Sequence, residues 1–461
     1  MTRAHIAVID IGKTNAKLAA VDPDTLREVE VATRPNTVLP GPPYPHFDTE
    51  GHWAFLLEEL ARFHRDHGIG AIGITTHGAA GALLTADGDL AAPILDYEHA
   101  GPDACAAAYA EVRPDFAQTG SPRLPGGLNL GAQIFWQFRQ DAGLRDRTAT
   151  VVTYPQYWGH RLTGVAATDV TSLGCHTDLW RPEARAFSDL VDRLGIRDRI
   201  APARLSQEIL GPILPEIAAR TGLAADTPVH CGIHDSNASL LPHLGARQAP
   251  FGVVSTGTWV IALAVGGSAV TLDPARDCLM NVNALGDPVP SARFMGGREY
   301  DLLTEGRATE PAADDIAAVL RDGSMLLPAA VPDCGPFQGM QAAWAGPDCP
   351  VGTGRRGAAV GFYLALVTAR CLSLIGARGP ILVEGPFARN RAYLTMLASA
   401  TGRDVIATAN ATGTTEGTAL LCGAAPARAE GAERSAVRGD AACARYAADW
   451  ADRVAAREGA A

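Results

Sequence analysis

The chain has 461 residues, with 47% hydrophobic and 19% charged residues and a formal net charge of −11. That length suits roughly two to four soluble domains, and the acidic balance argues against a general nucleic-acid or anionic-membrane surface, which would need a basic face. Nine cysteines, odd in number and without a CxxC pair, indicate neither a zinc site nor a disulfide framework and read as reduced thiols, which suits the cytoplasm. Asp10 interrupts the first apolar run before a signal-peptide core could form, and no apolar run reaches the length of a membrane span.

In chain order, "HIAVID" reads as a strand, "IGKTN" as a turn and "AKLAAVD" as a second strand. "PDTLREVEVATRP" adds a hairpin turn and a third strand. "HWAFLLEELARFHRDHG" carries Trp53, Leu56, Leu57, Leu60 and Phe63 at helical spacing, and "IGAIGITTHG" is a buried strand with a polar end. The opening returns midway. "FGVVSTGTWVIALAVGG" is again strand, small-residue turn and strand. "GRRGAAVGFYLALVTARCLSLIGA" reads as a long apolar helix, and "GPILVEGPFARNRAYLTMLASATGRDVIA" as strand, glycine turn, helix and strand. One architecture used twice is expected, divided near residue 245, and the tail from about 424 reads as a closing helix that frays.

The first turn holds the chain's two lysines, Lys13 and Lys17; the other cationic residues are all arginine. "GKT" is not a Walker A motif, since the glycine it needs at position 7 is Ala7, and the G-x-G-x-x-G spacing is absent. A different logic fits. Asp10 ends a strand beside Gly12, Thr14 and Asn15, small or polar residues whose backbone N–H groups can approach phosphate oxygens. Asp10 could hold a hydrated Mg²⁺, and Lys17 could reach the terminal phosphates. Thr256, Gly257 and Thr258 offer a second cradle, and two such turns across a cleft would enclose a triphosphate. Each turn alone could equally be a plain hairpin. Asp235, at a strand–helix junction in "CGIHDSNASLLP", is either a base aimed at an acceptor hydroxyl or a cap of the helix that follows.

Together, "DIGKTNAK", "GIHDSNAS", "STGTW" and "VEGPFARN" resemble the FGGY carbohydrate kinases, in order and over almost the whole chain. The resemblance implies an α/β fold of two RNase H-like domains, of the actin/hexokinase/Hsp70-like kind, with a nucleotide cleft between them and domain closure that excludes water. It assigns 1–245 to a sugar-binding domain with the catalytic Asp235, and 246–461 to a nucleotide-binding domain with the helical tail. It implies ATP and Mg²⁺, with the metal near Asp10 and Asp235. Asp10, Gly12, Thr14 and Lys17 match the family's first loop, while Lys13 replaces a small residue and puts an extra charge near the γ-phosphate, either to aid catalysis or to point outward. Gly385, Ala388 and Asn390 resemble the adenosine loop, with Glu384 in place of a usual glycine.

The pattern is most similar to the L-fuculose and L-rhamnulose kinases. His77 replaces an aromatic residue and Ala80 an acid in the segment that contacts the sugar there, and His234 beside Asp235 fits those enzymes. Further substrate candidates are Gly78, Tyr97, Glu98, Gln156 and Trp158; "FMGGREYDLLTEG" receives no role. The expected activity is ATP-dependent phosphorylation of a primary hydroxyl of a ketose, a 6-deoxy-ketohexose, with a pentulose kinase or a non-catalytic actin-like protein as alternatives. The expected partners are the sugar and a second copy of the chain in a homodimer, with no nucleic acid and no membrane. A sugar-regulated repressor is disfavoured because no helix-turn-helix or basic segment precedes His5.

Overall fold

A computed structural model describes residues 4–408, 413–424 and 436–459. The chain forms two compact units. The first takes residues up to Arg247 together with 280–288 and the helix Gly413–Leu421. The second takes most of the remainder.

The main sheet of the first unit runs Ile209–Pro212, Pro228–His230, Ile69–Thr76, His5–Ile11, Asn15–Val21, Glu28–Pro35. The last three are an antiparallel meander. Ile69–Thr76 joins His5–Ile11 in parallel, and Ile233–His234 joins the end of Ile69–Thr76 in parallel. Parallel strands in the middle of a sheet are covered on both faces and so read as continuous apolar runs, which is why "HIAVIDI" does not alternate. The helix Thr49–His67 covers one face with Leu56, Leu57, Leu60 and Phe63. Each such buried side chain contributes about 1.5–3 kcal/mol. Asp48 starts this helix by accepting the Gly51 N–H at 3.0 Å. The helix Gly413–Leu421 covers the other face, where Ala419 meets Ile6, Val8, Ala19 and Val21. It also lies against the helix Asp235–Ala246 so closely that a Cβ on Gly417 would stand 1.8 Å from the Ala238 carbonyl oxygen. The small residues of "TTEGTALL" are therefore a packing requirement.

The second unit repeats the order, with Pro288–Phe294, Val260–Val265, Phe251–Thr256, Ile381–Glu384 and Val405–Ala407 side by side. The pairs around Phe251–Thr256 are antiparallel to Val260–Val265 and parallel to Ile381–Glu384. Gly354–Leu374 is the one helix among the described residues long and apolar enough to cross a membrane, and 78% of its apolar window is buried inside the molecule. It is the core helix of this unit. The closing helix runs Ala441–Glu458 and buries Tyr446 and Trp450, whose indole N–H donates to the Leu326 carbonyl at 2.8 Å. It thus begins well after 424, and residues 425–435 of the expected tail lie outside the described residues. All nine cysteines are unpaired.

Candidate active site

In the first unit, the parallel strands His5–Ile11, Ile69–Thr76 and Ile233–His234 end together, placing Asp10 opposite Thr75 and His234 opposite Thr76. The carboxyl ends of parallel strands are where α/β sheets bind ligands. The turn after Asp10 is closed by Gly12 N–H donating to the Asn15 carbonyl at 2.9 Å, with Thr14 and Asn15 exposed at its tip. Asn36 braces it, donating to the Gly12 carbonyl at 2.7 Å.

Each lysine of this turn meets acids. Lys17 lies 3.1 Å from Glu28, 3.6 Å from Asp10, and donates to the Thr415 hydroxyl at 2.6 Å. Thr414 donates to Asp10 at 3.1 Å. Burial pushes the Asp10 carboxyl above its ordinary value; Lys17 opposes this and Asp235 adds to it. Lys13 turns the other way. It pairs with Asp96, lies 3.2 Å from Glu98, and rests 4.7 Å from the centre of the Tyr97 ring. Tyr97 and Phe47 flank His77, with ring centres 5.1 and 5.0 Å from the imidazole, and Tyr154 closes the box at 5.0 Å. Burial pulls His77 down to about 4, so the ring is neutral at neutral pH. Its Nδ1 donates to the Gly78 carbonyl at 2.8 Å, leaving Nε2 as an acceptor with no partner among the described residues.

Asp235 opens the helix Asp235–Ala246, with His234 at the N-cap position. Its side chain is 31% exposed, accepts the Ser236 N–H at 2.6 Å, and lies 3.1 Å from His234 Nε2. Burial pushes its carboxyl up, but the opposing contacts, His234 first among them, together hold it below the ordinary range. An ionised carboxylate at a helix N-terminus is stabilised by the free amides there. Helix-end contact and availability to a ligand thus coexist in Asp235.

Two substrate candidates lie in the interior of the first unit. Trp158 is fully buried and packs among Tyr154, Tyr157 and Trp53 in the core. Gln156 is also fully buried, its amide donating to the Cys231 carbonyl at 2.8 Å and its oxygen accepting from Thr153. Both come from the helix Tyr154–Thr163, and a polar or aromatic residue in a sequence does not reveal which face it occupies.

In the second unit, the Thr256 hydroxyl donates to the Glu384 carbonyl at 2.5 Å and accepts the Phe387 N–H at 3.1 Å. It ties two strand ends together, while Gly257 and Thr258 are exposed. Gly385 has φ +82°, and a Cβ there would stand 2.0 Å from the Thr256 carbonyl oxygen, so only glycine fits. Asn390 accepts the Tyr393 N–H at 3.1 Å and caps the helix Arg391–Thr401. A cavity of about 590 Å³ is lined by Gly257, Thr258, Arg298, Tyr300, Phe387 and Asn390, among others. That volume suits a small organic ligand. Its wall is the helix Gly296–Thr304, from the segment that received no role. The glycine pair before "REYD" was the available signal: a Cβ on Gly297 would stand 2.3 Å from the Gly257 carbonyl oxygen, so the helix start abuts the second turn.

Two α/β units of one strand order, each with an exposed turn after its first strand, define a two-domain kinase fold. Residues 5–242 match the N-terminal domain of the FGGY family of carbohydrate kinases, and residues 248–431 match the carbohydrate kinase FGGY C-terminal domain. The chain belongs to the FGGY family of carbohydrate kinases. It is 38% identical to a carbohydrate kinase from Novosphingobium aromaticivorans, with a TM-score of 0.90, covering 97% of this chain and 100% of that one. It is 26% identical over 285 residues to the L-fuculokinase of Escherichia coli (strain K12), covering 57% of each chain. The match to this curated relative thus spans little more than half of the relative's length. The xylulose kinase of Rhodospirillum rubrum shares the fold, at 22% identity and a TM-score of 0.79, with 99% of both chains covered.

Proposed function

We propose that the chain transfers the γ-phosphoryl group of ATP to a primary hydroxyl of a ketose, a 6-deoxy-ketohexose of the L-fuculose or L-rhamnulose type. The observation that carries this reading is Asp235: an ionised, partly exposed carboxylate at the end of a parallel strand, held by His234. Such a group orients an acceptor hydroxyl and takes its proton as the phosphorus–oxygen bond forms. The choice of sugar is supported by the similarity to an L-fuculokinase and by the His234–Asp235 pair.

The residues divide by role. The first unit supplies the acceptor side, where His77 Nε2 and Tyr97 are the groups able to hydrogen-bond a sugar hydroxyl. The second supplies the nucleotide side, where the cavity bounded by Gly257, Tyr300 and Asn390 takes the nucleoside. Lys13, surrounded by Asp96, Tyr97 and Glu98, belongs to the acceptor side. Lys17 acts by fixing Asp10. Mg²⁺ fits this donor set. It keeps most of its waters and needs only one or two carboxylates beside nucleotide phosphates, and no cluster of three metal-binding side chains occurs among the described residues. Asp10 would face its hydration shell, and the ion would neutralise charge on the phosphates.

A panel of ketoses and polyols, including pentuloses, scored by sugar-dependent ADP release, tests the reading. Turnover is expected with a 6-deoxy-ketohexose. A protein that binds ATP but turns over with no member of the panel would refute it.

A further inference from the structure

Cys175 and His176 lie outside every motif discussed above, yet they contact the group that holds Asp235. Leu128 offers a carbonyl 2.6 Å from His176 Nδ1. A carbonyl only accepts, so Nδ1 carries the hydrogen and the imidazole is fixed in one orientation. His176 Nε2 then lies 3.3 Å from Cys175 Sγ, and Sγ lies 3.5 Å from His234 Nε2. That same Nε2 stands 3.1 Å from Asp235 Oδ1. The contacts run in sequence: Leu128 carbonyl, His176, Cys175, His234, Asp235.

The surroundings are built to hold this chain. His176 has φ +41°, a left-handed backbone that is uncommon for a residue other than glycine, asparagine or aspartate and persists only where neighbours enforce it. Asn129 donates to its carbonyl at 2.9 Å. Asp169, fully buried, accepts the N–H groups of Thr171 and Ser172 at 2.9 and 3.1 Å, starting the short helix Val170–Leu173 that leads into Cys175. Thr171 in turn accepts the His234 backbone N–H at 2.9 Å. Gly78 leaves the necessary space, for a Cβ there would stand 2.8 Å from both Cys175 Sγ and His234 Nε2. Asn237 lies 3.3 Å from His234 Nδ1, so both nitrogens of that ring are engaged.

We propose that Cys175 and His176 are positioning residues that hold the His234 imidazole against Asp235 and so fix the carboxylate toward the acceptor hydroxyl. This rests on the reading of Asp235 as the base. A thiol suits the task because sulfur is large and accepts weakly at long distance, so one atom spans two imidazoles without drawing His234 away from Asp235.

The test is steady-state kinetics on Cys175→Ala, Cys175→Ser and His176→Asn beside the wild type, with sugar and ATP varied separately. Asparagine tolerates the left-handed backbone at 176, so His176→Asn removes the ring at little folding cost. Cys175→Ala is expected to lower kcat roughly 10- to 100-fold, the scale of a misplaced catalytic group, with KM for ATP changed less than about twofold. Cys175→Ser, which keeps a hydrogen-bonding atom, recovers most of that loss. His176→Asn reproduces the alanine effect, and the double variant is no worse than either single one, as expected for members of one chain of contacts. Wild-type turnover with kcat unchanged in Cys175→Ala and His176→Asn overturns the positioning role alone. So does an equal loss in the alanine and serine variants accompanied by a raised KM for ATP, which marks a general folding defect. Should Cys175→Ala fail to fold, His176→Asn decides. Absence of wild-type turnover with every sugar overturns both this inference and the reading beneath it.

Discussion

The two exposed turns, Gly12–Asn15 and Gly257–Trp259, stand at equivalent points of the two units and are built differently. The first is ringed by charge: Lys13 faces Asp96 and Glu98, and Lys17 faces Asp10 and Glu28. The second carries no charged residue of its own; Arg298 lines the cavity beside it and Arg293 lies 4.8 Å from the centre of the Trp259 ring. Its ordering comes from the Thr256 hydroxyl bridging two backbone groups and from the close approach of Gly297. A cradle that binds through backbone N–H groups needs no side-chain charge. A centre that handles a proton and a metal does, and must pair those charges because partial burial makes isolated ones costly. Under the proposed function, one scaffold would serve two tasks, according to the charge its turn carries.

That contrast can be broken at several points. The largest effect is expected at Asp235. Asp235→Asn removes the base and should lower sugar-dependent turnover by 10²-fold or more, while ATP affinity measured by calorimetry stays within about threefold. A variant that keeps over a tenth of the wild-type rate would take the base away from Asp235. Next comes the neutral turn. Gly297→Ala forces a methyl against the Gly257 carbonyl and should weaken ATP binding by roughly tenfold or destabilise the second unit by about 1–3 kcal/mol, the range for an overpacked site. Thermal unfolding and calorimetry separate the two, and an unchanged protein would show that the turn and the helix are not tightly coupled. The smallest effect belongs to Lys13. Lys13→Ala should raise KM for the sugar about three- to tenfold and leave KM for ATP unchanged. The reverse pattern would return Lys13 to the phosphates.

Much of this was legible in the sequence because it is local. Strand, small-residue turn and strand appear twice as contiguous patterns, and the acid of "GIHDSN" sits where an apolar strand meets a helix. What was not legible is all non-local. Gln156 and Trp158 have the right chemistry for a sugar pocket, but the helix carrying them turns both into the interior. Lys13 lies next to a phosphate-type turn in sequence, whereas its partners are 83 and 85 residues away, at Asp96 and Glu98. The Cys175–His234 contact spans 59 residues, and no periodicity announces it. Burial, side-chain direction and long-range contacts are properties of the packed state, and a local pattern holds them only where backbone space is the constraint, as at Gly297 and Gly385.

The scarcity of lysine has a practical side. Apart from the chain's N-terminus, its primary amines are those of Lys13 and Lys17, and both stand within ion-pairing distance of carboxylates at the candidate site. In most proteins an amine-directed reagent scatters over dozens of surface positions; here acetylation or reductive methylation would reach the N-terminal amine and this one place. Surface immobilisation through amines, harmless for an ordinary enzyme, would reach for the N-terminal amine and the same two lysines.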